Sequence, residues 1–176
     1  QPATAALSVA VNVSARQFRQ SDFVHQVIET LQVTGARAHL LTLELTESLV
    51  LDNVEDAIDK MHQLRTKGVR FSVDDFGTGY SSLAYLTRLP LHQLKIDQSF
   101  VRNLGARATD DVIVQTIIGM GRNLDLEVIA EGVETEAQKA ILAGHGCDLY
   151  QGYLLARPMP VADFERSLGG PAAPPQ

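Results

Sequence analysis

One stretch decides how this chain is interpreted, Val73-Asp74-Asp75-Phe76-Gly77-Thr78-Gly79-Tyr80-Ser81-Ser82-Leu83. A short apolar segment leads into two adjacent carboxylates, Asp74 and Asp75, and then into a loop that contains two glycines. Two ionised carboxylates repel each other, so a fold keeps them side by side mainly where cations offset their charge. At the end of a strand such a pair is a candidate bridge between two metal ions, and an ordinary turn is the alternative.

The composition excludes several classes of protein. The chain has 176 residues, 45% of them hydrophobic, and a formal net charge of -6 at pH 7. This length suits one domain with a substantial core. The negative charge argues against DNA as a partner, and no segment approaches the ~18 apolar residues that would indicate membrane contact. The single cysteine, Cys147, excludes a disulfide framework and favours a cytoplasmic domain, whether or not its parent protein is membrane-anchored.

Segments with the character of strands and helices alternate along the chain. Short apolar segments predict six strands, at 7–13, 40–45, 69–73, 94–96, 127–130 and 149–153. Apolar residues at helical spacing lie between them, most clearly at 54–67, 110–123 and 136–143, and a last short helix is predicted near 161–168. This alternation indicates a parallel α/β fold.

A polar residue stands at or near the carboxyl end of every predicted strand: Asn12, Glu44, Asp74 with Asp75, Lys95, Glu131 and Gln151. In a (β/α)8 barrel all these ends converge on one face, whereas a doubly wound sheet brings together only the two strands at its switch point. We therefore predict a TIM-type (β/α)8 barrel in the α/β class, with about six of the eight βα units in this chain. About two further strands are expected upstream of Gln1.

The predicted strand ends carry oxygen ligands. The carboxylates of Glu44, Asp74 and Asp75 and the amide oxygen of Asn12 suit Mg²⁺ or Mn²⁺, while histidines and cysteines, the usual zinc ligands, do not converge. Asp74 can bridge two ions if Asp75 and Glu131 reach the second one. Two such ions can bind a phosphate and activate water for in-line attack.

Lys95 is the only cation at these strand ends. It would orient or help to deprotonate the attacking water, or offset the charge that develops on phosphorus. The alternative for Lys95 is a surface ion pair with Asp97.

Two other kinds of site share some of these residues. Asp75-Phe76-Gly77 spells the metal-binding tripeptide of protein kinases, but no glycine-rich nucleotide loop or catalytic-loop signature accompanies it. An enolase-type barrel would also place carboxylates on successive strands with a lysine base, yet adjacent aspartates and Asn12 fit that site poorly.

Six motifs occur in order: Val11-Asn12-Val13-Ser14, Glu44-Leu45-Thr46-Glu47-Ser48, the stretch from Asp74 to Leu83, Lys95-Ile96-Asp97, Ala130-Glu131-Gly132-Val133-Glu134-Thr135 and Gln151-Gly152-Tyr153. Together they resemble the motifs of the EAL family, bacterial phosphodiesterases that hydrolyse the second messenger cyclic di-GMP to linear pGpG. The resemblance covers residues 7–168, which leaves residues 1–6 as a predicted linker and 169–176 as a predicted disordered tail.

The resemblance implies a site with two Mg²⁺ or Mn²⁺ ions. By position, the ligands would be Asn12, Glu44 and Asp74 for one ion, and Asp74, Asp75 and Glu131 for the other. Lys95 would contact the attacking water, and Glu131 matches a position that is sometimes assigned as general base.

The remaining matched positions belong to a loop and to the substrate site. Phe76, Gly77, Thr78 and Gly79 match a mobile loop that places the aspartate pair and couples to the dimer interface of the family. Glu47 matches the residue that steadies this loop. Glu134 and Gln151 match further active-site positions.

The resemblance also implies partner domains, and this sequence departs from the family pattern at one motif. Its members form homodimers through the EAL domain and commonly carry sensory or GGDEF-type (diguanylate cyclase) domains upstream. The Glu-Ala-Leu tripeptide that names the family is absent from this sequence, where Glu136-Ala137 is followed by Gln138. Its glutamate is a metal ligand in the family, so a receptor that binds cyclic di-GMP without cleaving it is the alternative function.

Overall fold

Six parallel strands form one sheet in the computed structural model, which describes residues 6–79 and 83–169. They are β1 (Val9–Asn12), β2 (Leu41–Thr46), β3 (Arg70–Phe76), β4 (Gln93–Ile96), β5 (Glu127–Ala130) and β6 (Leu149–Tyr150). Their spatial order is their order along the chain, and every pairing between neighbours is parallel. Sequential parallel strands with helical connections are the arrangement of a TIM-type barrel, so the prediction of six units of a (β/α)8 barrel is confirmed.

Helices connect the strands and cover the outer face of the sheet. In chain order they are α1 (Ala15–Phe18), α2 (Phe23–Thr34), α3 (Glu47–Asp52), α4 (Val54–Arg65), α5 (Leu83–Leu86), α6 (Gln98–Val101), α7 (Ala108–Asn123), α8 (Glu136–His145) and α9 (Val161–Gly169), with a 3₁₀ turn at Ala38–Leu40. Local sequence sets several ends. Ser14 and Thr135 begin α1 and α8 with capping boxes, and Gly35 and Gly146 end α2 and α8 in the left-handed conformation. None of the described helices is long and apolar enough to cross a bilayer.

The apolar core lies between the central strands and the helices. Leu45 of β2, Phe71 of β3 and Leu94 of β4 are fully buried, and they belong to one cluster with Met61 of α4 and Ile118 of α7. Burying a side chain of this size stabilises a fold by about 1.5–3 kcal/mol. The core therefore holds β2, β3 and β4 together, and these strands carry the candidate site residues Glu44, Asp74, Asp75, Phe76 and Lys95.

The first strand is one of the two edge strands of the described sheet, and it pairs with β2 alone among the described residues. All four residues of β1 are exposed, and Val9 and Val11 remain 59% and 42% accessible. An apolar groove of about 670 Å³ runs between β1 and α2. The strand predicted from the alternation of apolar residues is present, but the described residues do not bury its apolar side chains.

Two strand ends close to the site differ from the sequence prediction by more than one or two residues. The strand predicted at 69–73 extends to Phe76, so Asp74 and Asp75 belong to β3 and not to a loop after it. The strand predicted at 149–153 ends at Tyr150, because Gly152 lies in a turn that packs on the backbone of Val133. The predicted linker, apart from Ala6, and the predicted tail after Gly169 lie outside the described residues, as does 80–82 in the central motif.

Candidate functional site

A buried lysine lies at the centre of the carboxyl ends of the strands. The side chain of Lys95 is 4% exposed, and its Nζ lies 2.9 Å from Glu44 Oε2, 3.0 Å from Asp74 Oδ1 and 2.5 Å from Glu131 Oε1. The alternative of a surface ion pair between Lys95 and Asp97 is therefore wrong. The structure joins one basic and three acidic residues from four strands, or strand ends, that are far apart in sequence.

Strand alternation explains why these polar side chains share one face. On β2, Leu43 and Leu45 are buried in the core, and Glu44 between them points to the opposite side of the sheet. On β4, Leu94 and Ile96 enter the core in the same way and turn Lys95 inward. Parallel pairing then brings these inward residues together at one end of the barrel.

The aspartate pair breaks this alternation through a β-bulge. Val73 pairs with Leu94 and Phe76 pairs with Ile96, so Asp74 and Asp75 together stand opposite the single residue Lys95. Asp75 has a φ of 53°, in the left-handed region that few residues other than glycine adopt. The extra residue returns Phe76 to the core side, where it lines a small cavity with Val73. As a result, two consecutive carboxylates face the same site.

The left-handed backbone at position 75 leads to a stability prediction. Asp75→Asn and Asp75→Gly should fold at least as stably as the wild type, since both residues enter this region easily and neither carries the charge that Asp74 repels. Asp75→Val should lose about 1–2 kcal/mol relative to them, because a β-branched residue is strained there. Urea unfolding of the metal-free protein measures the difference. Equal stabilities for the three variants would contradict the role assigned to the backbone.

Asp74, Asp75 and Glu131 form an acidic cluster. Each offers a carboxylate oxygen, and these oxygens all lie within 4.8 Å of one another. Burial, together with the neighbouring charges of Asp74 and Asp97, raises the pKa of Asp75. Burial also raises the pKa of Glu131, and the contact with Lys95 only partly offsets this. The cluster therefore holds more negative charge than Lys95 neutralises.

The charge state of Lys95 follows from the same contacts. Burial by itself would lower the pKa of Lys95, but the close contacts with the carboxylates of Glu131, Glu44 and Asp74 outweigh it and raise the pKa well above its usual range. The ammonium group is thus a fixed cation at neutral pH.

The carboxylate oxygens of this cluster suit a hard divalent cation. Among the described residues Asp74 Oδ1 is buried and accepts no hydrogen bond, although it lies within ion-pair distance of Lys95. A buried carboxylate oxygen that accepts no hydrogen bond keeps lone pairs that can bind a cation. Carboxylate oxygens are the ligands that Mg²⁺ and Mn²⁺ prefer, so these acidic residues can hold a metal ion.

The raised pKa values predict how pH acts on the metal-free protein. In the folded state Asp75 and Glu131 keep protons that the unfolded chain has already released above about pH 4. Because the folded state then binds more protons, these two groups make stability fall as pH rises through their raised pKa values. Urea unfolding in EDTA at several pH values should show this decline, and Asp75→Asn should flatten it. Parallel pH profiles for the two proteins would contradict the prediction.

Glu47 ties the loop after the bulge to α3. Its side chain is buried at the first position of α3, and Oε2 accepts a hydrogen bond of 3.1 Å from the backbone N–H of Gly77. A Cβ atom at Gly79 would lie 2.7 Å from Glu47 Oε1, so only glycine fits there without movement. Thr78 donates its hydroxyl to the carbonyl of Asp75 at 2.8 Å. The loop residues predicted to be functional thus contact both Glu47 and the bulge.

The other predicted site residues lie around this centre. Asn12 is the register partner of Glu44 at the end of β1, and its side chain is exposed. Gln151 donates a hydrogen bond of 2.6 Å from Nε2 to Glu131 Oε1. Glu134 is exposed, and its backbone N–H donates to Gln138 Oε1 at 2.8 Å.

Two structural features of the site were not predicted from the sequence. One is the bulge at Asp75, which depends on pairing with β4. The other is Gln138, which is buried and holds the turn after Glu131 through the N–H groups of Glu134 and Thr135. The pattern Thr135 followed by Gln138 is a capping-box signature and was available as a signal.

Comparison with known proteins points to one family. A family model described as "EAL domain" matches residues 1–158. The chain is 46% identical to "Cyclic di-GMP phosphodiesterase NbdA" of Pseudomonas aeruginosa over 172 residues, which is 96% of this chain and 22% of that protein. Curated relatives that include NbdA are matched over only 20–24% of their length.

Solved structures show the same similarity. A structure described as "PaMucR Phosphodiesterase, c-di-GMP complex" superposes with a TM-score of 0.87 at 44% identity, covering 89% of this chain and 64% of that one. A manganese/cy-diGMP complex of Klebsiella pneumoniae BlrP1 superposes with a TM-score of 0.79 at 32% identity, covering 86% of this chain and 39% of that one.

Proposed function

The chain belongs to the EAL domain family, and from this we propose that it is the phosphodiesterase domain of a bacterial signalling protein, which hydrolyses cyclic di-GMP to pGpG with the help of divalent metal ions. The observation that carries the proposal is the buried Lys95 surrounded by Glu44, Asp74 and Glu131, with Asp75 brought in by the bulge. Relatives named as cyclic di-GMP phosphodiesterases support the substrate.

The charge balance of the site supports the need for metal. The four carboxylates outnumber the single ammonium group of Lys95, and the substrate is itself an anionic phosphodiester. We assign Asn12, Glu44 and Asp74 to one Mg²⁺ or Mn²⁺ ion, and Asp74, Asp75 and Glu131 to a second. When bound, such ions polarise the phosphodiester and lower the pKa of water.

The protein groups then have separate tasks. Lys95 is a permanent cation, so it fixes the carboxylates in place and offsets charge at the phosphate, and it does not act as a base. Glu131 is oriented by the hydrogen bond from Gln151 and by the ion pair with Lys95, which fix the direction of its carboxylate within the site. It is therefore the group that we assign to accept a proton from the attacking water.

We also propose partners for this domain, namely a further domain on the same polypeptide and a second copy of the chain. The relative MucR is named a bifunctional diguanylate cyclase and cyclic di-GMP phosphodiesterase. We propose a similar arrangement here, with a sensory or GGDEF-type domain on the same polypeptide, this domain in the cytoplasm, and a homodimer formed through the EAL domain. Light scattering over a range of concentrations tests the dimer.

The substrate class is tested by assaying the purified protein with cyclic di-GMP, a generic phosphodiester and 2-hydroxy acids, each with Mg²⁺, Mn²⁺ or EDTA. Metal-dependent cleavage of cyclic di-GMP to pGpG supports the proposal. Reaction with a 2-hydroxy acid would favour an enolase-type site. Tight binding of cyclic di-GMP without cleavage would favour the receptor alternative.

A further inference from the structure

The turn that carries Glu131 lies between β5 and α8 and runs along the segment that follows Lys95. The backbone N–H of Glu131 donates to the carbonyl of Ile96 at 3.1 Å. The next residue, Gly132, has a φ of 67°, and a Cβ atom there would lie 2.7 Å from Gln98 Cβ, so the turn packs closely against α6. The position of Glu131 therefore depends on how this turn is held against α6.

The buried side chain of Gln138 connects this turn to both neighbouring helices. From the first turn of α8, its Oε1 accepts hydrogen bonds from the backbone N–H groups of Glu134 at 2.8 Å and Thr135 at 3.0 Å. Its Nε2 donates to the carbonyl of Val101, the last residue of α6, at 3.3 Å. Because Gln138 is only 9% exposed, little water can replace these hydrogen bonds if the amide group is removed.

These contacts exceed what the start of a helix requires. Helix α1 begins with the same capping motif, in which Gln17 Oε1 accepts a hydrogen bond of 3.1 Å from the backbone N–H of Ser14. Gln17 is exposed, and among the described residues its side chain bonds only to Ser14. Gln138 is buried and bonds in addition to Glu134 and to Val101 of another helix. The difference indicates that Gln138 does more than begin α8.

We propose that Gln138 is a positioning residue, which acts through the turn to hold the carboxylate of Glu131 beside Lys95 and at the second metal position. Without its amide group, two backbone N–H groups and one carbonyl group would lose their partners, and the turn would shift to find others. A shift of about 1 Å in a reacting group can lower a rate by about 100-fold. The inference rests on the proposed function, because it takes Glu131 as a metal ligand and proton acceptor.

The test measures Mn²⁺ binding to the parent protein by calorimetry without substrate, and kcat and KM for cyclic di-GMP. Gln138→Met keeps the length of the side chain but removes its amide group. It should weaken Mn²⁺ binding by about 10–100-fold and lower kcat more than it raises KM, since loss of a group that orients a metal ligand has an effect of this size. Gln138→Glu should recover most of both, because glutamate also accepts hydrogen bonds from the backbone in a capping box.

A second cap variant separates positioning from stability. Asn53 caps α4 by accepting a hydrogen bond from the backbone N–H of Asp56, so Asn53→Ala should lower the melting temperature, as Gln138→Met does, but should leave Mn²⁺ affinity unchanged.

Three results would contradict one or the other claim. Wild-type Mn²⁺ affinity in Gln138→Met would overturn the positioning role and leave the proposed function intact. Mn²⁺ binding as weak in Gln138→Glu as in Gln138→Met would also overturn it, because the hydrogen bonds to the turn would not be what places Glu131. A wild-type protein that binds Mn²⁺ but neither binds nor cleaves cyclic di-GMP would instead overturn the proposed function.

Discussion

Asp74→Asn is expected to abolish hydrolysis of cyclic di-GMP in the parent protein. Asp74 is the residue that we assign to both metal ions, and its buried Oδ1 accepts no hydrogen bond within the described residues. Asparagine has the same shape but lacks the charge that binds a cation. Loss of a residue that merely orients a metal ligand typically costs 10–100-fold, so loss of a shared ligand should cost more than about 100-fold at saturating Mg²⁺.

The unfolding temperature of the Asp74→Asn variant shows whether its loss of activity comes from misfolding. The Asp74→Asn substitution removes a charge that repels Asp75, so the metal-free variant should unfold within about 4 °C of the wild type. Asp59→Asn, an exposed carboxylate on α4, serves as the control and should retain full activity. Unchanged turnover of Asp74→Asn at saturating Mg²⁺ would remove the two-metal account.

Lys95→Met is expected to have the largest effect on stability. Lys95 is buried and is the cation shared by Glu44, Asp74 and Glu131. Removing one partner from a buried ion pair typically costs about 3–5 kcal/mol, because it leaves charge buried without compensation. The metal-free variant should therefore melt well below the wild type in EDTA.

Metal and pH should each recover part of this loss. Divalent ions replace the missing positive charge, so Mg²⁺ or Mn²⁺ should raise the melting temperature of Lys95→Met more than that of the wild type. Lower pH should also stabilise the variant, because its carboxylates become protonated. Lys67→Met, at an exposed lysine after α4, provides the comparison. Equal melting temperatures for Lys95→Met and Lys67→Met in EDTA would show that the buried ion pairs of Lys95 do not stabilise the fold.

Local sequence patterns predicted most of the fold. The alternation on β2 and β4 is a property of a few neighbouring residues, so the strands and the inward direction of Glu44 and Lys95 could be predicted. The parallel order then implied that these residues meet, which the contacts of Lys95 confirm. Boundaries set by capping residues, such as the left-handed Gly35 after α2, are also local.

The features that the sequence did not predict depend on distant partners. Asp75 takes its left-handed conformation because β3 pairs with β4 on both sides of it, and the next turn is held by Glu47, about 30 residues earlier. The exposure of β1 depends on what lies beside its open edge. The pairing of Tyr153 with Arg157 arises in an irregular segment, where no periodicity indicates which side chains will meet.

The measurement that tests the central claim most directly is the conversion of cyclic di-GMP, followed by chromatography, with its binding measured in parallel. It should be made on this chain and on a version extended upstream by two βα units, on the order of 60–80 residues. We expect pGpG to form with Mg²⁺ or Mn²⁺ but not with EDTA, and far faster in the extended protein if it supplies the metal-ligating glutamate of the EAL family. Binding without any cleavage in both proteins, at saturating metal, would contradict the assignment of this site as a phosphodiesterase.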